Sequence, residues 1–367
     1  MADDASPLES KIQRLITLAG PMPVAEYMAH CLGDPDHGYY MTQEPLGTAG
    51  DFITAPEISQ MFGELIGLWA ATVWEQMGSA ADVRLVELGP GRGTMMQDML
   101  RAARVMPAFR QALSVHLVET SPLLRRRQEQ ALANQEVPIV WHDALADVPE
   151  GPAIIVANEF FDALPVHQAL KQENGWHERV VGIERCGALA FGVGAEPLKS
   201  FERTLPAKVR AAETGAIYEW RADTLAREIG RRLVRDGGAA LIIDYGHVAS
   251  GVGDTLQAVR AHHRSDPLVA PGLADITAHV DFQALARAAE STGARVHGPI
   301  EQSVLLRRLG IEQRAANLTK AASPATASGI DVALARLLAD GPTGMGTMFK
   351  AIGLSAPQLA TLPGFDA

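Results

Sequence analysis

Cysteine is nearly missing from this chain: Cys31 and Cys186 are the two in 367 residues, and no C-x-x-C pair occurs. That argues against a disulfide framework and a thiolate zinc site, and points to a reducing compartment. Positive charge is also scarce, with 32 Lys and Arg against 43 Asp and Glu and a net charge of −11. Non-specific binding of DNA or RNA is therefore not expected. No apolar run is long enough to span a bilayer. The opening Met1-Ala2-Asp3-Asp4-Ala5-Ser6-Pro7 is acidic, with neither an apolar stretch nor an arginine-rich amphipathic pattern. It does not read as a signal or transit peptide, so a cytoplasmic setting is expected. No internal repeat is visible. What is present is ordinary globular material, 47% hydrophobic and 20% charged, enough for one large domain with insertions or for two domains.

The segment richest in information is Val83-Arg84-Leu85-Val86-Glu87-Leu88-Gly89-Pro90-Gly91-Arg92-Gly93-Thr94. An apolar strand enters a glycine turn and a helix follows. Glycine lets bare backbone approach a ligand, and the helix start offers unpaired N–H groups to a polar or anionic one. The spacing is G-x-G-x-G. A dinucleotide fingerprint, G-x-G-x-x-G, needs glycine where Thr94 stands. The turn therefore favours S-adenosylmethionine (SAM) over NAD as the ligand.

Around this motif the chain alternates strands and helices. Candidate strands are 83–88, 115–119, 138–141, 153–157 and 239–244, with residues 348–354 returning as a final strand. Short apolar runs between helices predict a parallel sheet covered on both faces. Residues 8–32 read as one or two helices broken at Gly20-Pro21-Met22-Pro23, Pro56–Met77 as one long helix, and 219–235 as another. The predicted organisation is an N-terminal helical and lid region (1–80), a SAM-binding Rossmann-like half (81–165), a small β-rich insertion (166–215), a continuation of the Rossmann-like core (216–262), a mainly helical insertion (263–340), and a C-terminal strand and tail (341–367).

In open α/β sheets ligands sit at the carboxyl ends of the strands. Glu87, Gly89, Gly91 and Gly93 line the first such end. Glu119 ends the second strand, where a carboxylate can accept both hydroxyls of a ribose; otherwise it is a surface residue opening a loop. The third strand ends near Asp143 and Ala144, where an acidic side chain and a backbone N–H could meet an adenine amino group, or where Asp143 merely caps a loop. After the fourth strand, Asn158, Glu159 and Asp162 are polar groups in an apolar setting, costly to bury unpaired. Asn158 and Glu159 face the glycine turn, where a donor methyl would be presented, or the segment is a polar cap on a following helix with Asp162 as its N-cap. The loop Gly47–Thr54 contains Asp51 and could close over a substrate, or be a plain turn. Asp244 and His247 end the fifth strand. Asp275–Asp281 matches no zinc spacing, so no metal is expected, and Asp281 reads as a helix N-cap.

Taken together, Pro35-Asp36-His37-Gly38-Tyr39-Tyr40, Gly50–Ser59, Glu87–Thr94, Asn158–Val166, Ile243–His247 and Asp275–Phe282 resemble the MidA-like family of SAM-dependent methyltransferases, over about residues 10–315. The resemblance implies an α/β, Rossmann-like, seven-stranded class I methyltransferase sheet with an N-terminal helical region and inserted substrate-cleft elements. It also implies ω-N-methylation of a protein arginine in the quinone-site subunit of respiratory complex I during assembly, with eukaryotic relatives in the mitochondrial matrix. Asn158, Glu159, Asp51 and Asp162 are then the candidate catalytic residues. Glu87, Gly89, Gly91, Gly93, Glu119, Asp143, Ala144 and Asn158 are the candidate cofactor contacts. A small-molecule methyltransferase and a non-catalytic assembly chaperone with a SAM site remain as alternatives.

Overall fold

The computed structural model describes residues 6–43, 54–260, 262–341 and 344–365. The chain divides into two compact units, Ile53–Phe161 with Asp223–Val248 and Leu285–Ala367, and Met1–Phe52 with Asp162–Ala222 and Ala249–Ala284.

Seven strands of the larger unit, numbered within it, are β1 (Val83–Leu88), β2 (Leu113–Val118), β3 (Ile139–His142), β4 (Ala153–Asn158), β5 (Gly238–His247), β6 (Arg295–Glu301) and β7 (Phe349–Ser355). Their order across the sheet is β6-β7-β5-β4-β1-β2-β3. Strands β3, β2, β1, β4 and β5 run parallel, and β7 lies antiparallel between β5 and β6. The strand order reverses between β1 and β4, the position where such sheets open a ligand crevice. Ile154, Ile155, Ala239, Ala240 and Ile242 are fully buried, which is why these strands read as continuous apolar runs.

The helix Gln60–Gln76 covers this sheet with Met61, Phe62, Leu65, Ile66, Trp69, Val73 and Trp74 in the core. The expected single helix from 56 to 77 is in fact two. Ser59 is extended (φ −159°, ψ 135°), and its hydroxyl accepts the Met61 N–H at 3.2 Å, so a short helix Ala55–Ile58 ends and the long one starts. The segment 219–235 also splits. Ile217–Arg221 is a strand, and the helix runs over Thr224–Asp236 with Ile229 and Leu233 buried.

The smaller unit holds helices Pro7–Ala19 and Val24–Gly33 and an antiparallel sheet ordered Met22–Pro23, Gly175–Ile183, Val166–Gln172, Ile217–Arg221, with Leu189–Pro197 also paired to Gly175–Ile183. Its core includes Leu8, Ile12, Tyr27, Met28, Val166 and Val181. A buried polar network ties its strands together. The Gln168 amide donates to Glu219 (2.6 Å) and Asp254 (2.9 Å), while its oxygen accepts from Arg179 (2.8 Å). Asp281 caps the helix Phe282–Glu290 by accepting the Ala284 N–H at 2.9 Å, as its place in the sequence suggests.

Candidate active site

Between β1 and the helix Thr94–Ala102, the chain turns through Gly89, Gly91 and Gly93 at φ +62°, +54° and +81°. L side chains adopt this left-handed region only with strain. Gly89 donates to the Val118 carbonyl at 3.0 Å and Gly93 to that of Pro90 at 2.8 Å, so the turn is held at both ends. A Cβ at Gly89 would stand 2.5 Å from Cδ2 of Phe160, so the turn and the tip of β4 are packed directly together. Thr94 opens the helix, and its hydroxyl donates to Glu57 at 2.6 Å. Arg92 bonds the other Glu57 oxygen at 3.3 Å.

Two carboxylates lie beneath the turn. Glu87, near the end of β1, is 2% exposed, and its Oε2 has no hydrogen-bond partner among the described residues. Burial, and then the nearby Glu119, push its pKa up to about 8. Glu119, just beyond β2, is also raised by burial, opposed by the Ser121 N–H (2.8 Å) and the Gln128 amide (3.1 Å). Two buried acids side by side, one with an oxygen that has no partner among the described residues, make a place for a ligand that brings positive charge and hydroxyl donors. The cationic sulfonium and ammonium groups and the ribose of SAM fit that requirement.

At the tip of β4, Glu159 has φ +51°, a strained setting for a residue with a Cβ. Its Oε1 accepts the Ala55 N–H at 3.1 Å and the Asn158 Nδ2–H at 3.2 Å. The Asn158 amide is thereby oriented, and its buried Oδ1 has no partner among the described residues. The turn is secured from below by Asp244 on β5, which is fully buried. Its Oδ2 accepts the N–H groups of Phe160 (3.2 Å) and Phe161 (2.9 Å), and its Oδ1 accepts that of Tyr245 (2.9 Å). No helix follows Asn158; the next element is the strand Val166–Gln172, so these polar residues do not cap a helix.

Thus Glu87, Gly89, Gly91, Gly93, Glu119, Asn158 and Glu159 converge on the carboxyl ends of β1, β2 and β4. Asp143 and Ala144 follow β3 with their polar groups engaged. Asp143 is exposed and pairs with Arg125 at 2.7 Å, and the Ala144 N–H donates to Asp147 at 3.0 Å. Asp162 belongs to the smaller unit, where it is buried and its carbonyl accepts from Ala278 (3.2 Å) and Arg221 (3.0 Å). Asp51 lies outside the described residues. The sequence reading passed over Gln128 and Trp141, and saw in Glu57 only an acid suited to a helix start. Gln128 had a visible signal, a polar residue within the stripe Leu124, Gln128, Leu132 that forms the buried face of its helix.

The strand order and the glycine turn define a class I SAM-dependent methyltransferase. Residues 65–300 match the family described as "Putative S-adenosyl-L-methionine-dependent methyltransferase", and the chain belongs to that family. Among curated proteins it is 38% identical to the Drosophila melanogaster "Protein arginine methyltransferase NDUFAF7 homolog, mitochondrial", over 96% of this chain and 86% of that one. It is also 38% identical to the Homo sapiens protein arginine methyltransferase NDUFAF7, over 84% of this chain and 74% of that one. Among solved structures, a Burkholderia thailandensis protein bound to S-adenosyl-homocysteine superposes with a TM-score of 0.83 at 29% identity, over 98% of this chain and 94% of that one. The protein is a SAM-dependent methyltransferase, and the cofactor expected from the G-x-G-x-G turn is the one its family uses.

Proposed function

We propose that the methyl acceptor is an arginine side chain of a protein, and that this protein is a subunit of respiratory complex I, the quinone-site subunit, methylated in the cytoplasm during assembly. The arginine specificity draws support from the relatives named as protein arginine methyltransferases. The observation that carries the reading is the Asn158–Glu159 turn. There a carboxylate on a strained backbone and an oriented amide oxygen without a partner among the described residues lie at the strand tip beside the glycine turn. Both groups accept hydrogen bonds, and a guanidinium offers five N–H donors in a planar fork.

When bound, SAM supplies an activated methyl group on a positively charged sulfur. In this reading the Glu159 carboxylate grips the guanidinium and the Asn158 Oδ1 takes one further N–H, aiming an ω-nitrogen. Methyl transfer to that nitrogen would leave the thioether S-adenosyl-homocysteine, and the proton displaced from the guanidinium would pass to the Glu159 carboxylate and on to solvent. Because the donor is already activated, alignment is the protein's main contribution. Glu119 would take the two ribose hydroxyls, Asp143 and Ala144 would meet the adenine edge by exchanging their bonds to Arg125 and Asp147 for it, Glu87 would back the turn, and Gly89, Gly91 and Gly93 would let the backbone approach the cofactor.

Glu159→Gln tests the catalytic assignment. Labelled methyl transfer to complex I subunits should fall roughly 10²-fold or more, while affinity for S-adenosyl-homocysteine stays within about two-fold. Retained turnover in that variant removes Glu159 from the mechanism. Labelling of a small molecule in place of any complex I subunit overturns the acceptor.

A further inference from the structure

Gln128 lies on the helix Pro122–Leu132 and is completely buried. Its side-chain nitrogen donates to the Gly91 carbonyl at 2.7 Å and to Glu119 Oε2 at 3.1 Å. Its side-chain oxygen accepts the Trp141 Nε1–H at 2.9 Å. An indole nitrogen can only donate, while a carbonyl and an ionised carboxylate can only accept. The three partners therefore agree on a single orientation of the amide, and both of its N–H groups are used. One side chain joins the glycine turn, the carboxylate after β2 and the indole of β3. Gly93 reinforces the packing, since a Cβ there would come 3.4 Å from the Gln128 Cα.

We propose that Gln128 is a positioning residue for the cofactor: it holds Glu119 in its acceptor state, at a fixed distance from the Gly91 end of the glycine turn. The inference rests on the reading of Glu119 as the ribose ligand. A carboxylate that accepts two ribose hydroxyls must have both oxygens unprotonated. Burial works against that state at Glu119, and the Ser121 N–H and the Gln128 amide work for it. The other charged or titratable groups around Glu119 are Glu87 on β1, Arg125, whose Nε donates to the Glu119 carbonyl at 2.7 Å, and His142 on β3, whose carbonyl accepts the Glu119 N–H at 3.0 Å. Replacing Gln128 leaves all three in place, so its effect can be separated from theirs.

The test is S-adenosyl-homocysteine affinity from pH 6 to 9 for the wild type, Gln128→Met and Glu119→Gln. Methionine keeps the length and unbranched shape of glutamine and removes its donors. Relative to wild type, Gln128→Met should bind roughly ten-fold more weakly at the acid end of this range, with the deficit shrinking toward the alkaline end as Glu119 ionises without help. A loosened helix alone would weaken binding equally at every pH. A deficit that does not change with pH, or no deficit, overturns the proposal. If Gln128→Met does not fold, Gln128→Asn keeps the polarity while withdrawing the amide by one methylene, and the same pH-dependent deficit is expected. Glu119→Gln separates the two readings. Unchanged affinity in that variant defeats the ribose assignment. Weakened affinity there, beside a pH-independent Gln128→Met, defeats only the role of Gln128.

Discussion

Glu87→Gln should stabilise the ligand-free protein at neutral pH and weaken its hold on the cofactor. The carboxyl is buried, its Oε2 is orphaned, and Glu119 is close by, so ionising it in the folded chain is unfavourable. Its pKa rises from an ordinary 4.5 to about 8 on folding. Below about pH 4.5 both folded and unfolded chains carry the proton, and Glu87 costs nothing. Between about 4.5 and about 8 the folded chain retains a proton that the unfolded chain has released, so stability falls as pH rises. At about 1.4 kcal/mol per pH unit, that interval sets a ceiling of about 5 kcal/mol. Water reaching the carboxylate on local opening keeps the realised loss below that ceiling. Glutamine does not titrate, so the advantage of Glu87→Gln over wild type should grow across this range. Because the chain has two compact units, global melting is a poor probe. Hydrogen exchange at β1 amides between pH 5 and 8.5, corrected for intrinsic exchange, reports the opening of the larger unit directly. An advantage that stays flat with pH, or shrinks as pH rises, would refute the argument. The same variant should bind S-adenosyl-homocysteine more weakly, because the acid that the ligand's ammonium group would help to ionise is gone.

Two further expectations follow from the same unit. His116 and His142 approach through Nδ1 and Nε2 at 2.9 Å, and burial, then the facing His142, lowers the His116 pKa from 6.5 to about 4. The folded state resists taking up that proton, so stability is full above pH 6.5 and declines as pH falls toward 4. His116→Gln should flatten this acid limb in hydrogen exchange at β2 amides followed from pH 4 to 8 and corrected for intrinsic exchange, and an unchanged limb would exclude the pair as its source. Gly89→Ala places a side chain at φ +62°, a strain of about 1–2 kcal/mol, and drives its Cβ into the Phe160 ring. Cofactor affinity and turnover should fall together, because Phe160 directly follows Glu159. Wild-type titration and turnover in that variant would show that the turn tolerates displacement.

The sequence was most legible where a single local cause determined the outcome. The runs at 83–88 and 153–157 are apolar because both faces of β1 and β4 are covered, and no other element of that length fits. The strand tips then placed Glu87, Glu119, Asn158 and Glu159 at one edge. Less was legible where the cause lies far along the chain. Residues 219–221 looked helical, yet they belong to the strand Ile217–Arg221, which pairs with Val166–Gln172, and that partnership has no local trace. The break at Ser59 is a backbone choice made within an unbroken apolar stripe. Asp244 could be placed at the end of a strand, but its role depends on two N–H groups more than eighty residues earlier in the chain. Gln128 was missed because a lone polar residue on a buried helical face reads as noise until its three partners are seen.

The position of β7 has a consequence for biosynthesis. It is the last of the seven strands to be made, yet it lies between β5 and β6, with Ala239–Tyr245 aligned against Phe349–Ser355. While the ribosome is still translating the intervening hundred residues, the flank of β5 that will receive β7 stays open. Its Ala-Ala-Leu-Ile-Ile core presents unpaired backbone groups beside apolar side chains. Closing that gap is a late, long-range step, of the kind that exposes nascent chains to aggregation. Expression yield in a heterologous host should therefore depend on chaperones that shield a half-built sheet, more than on the final stability of the enzyme.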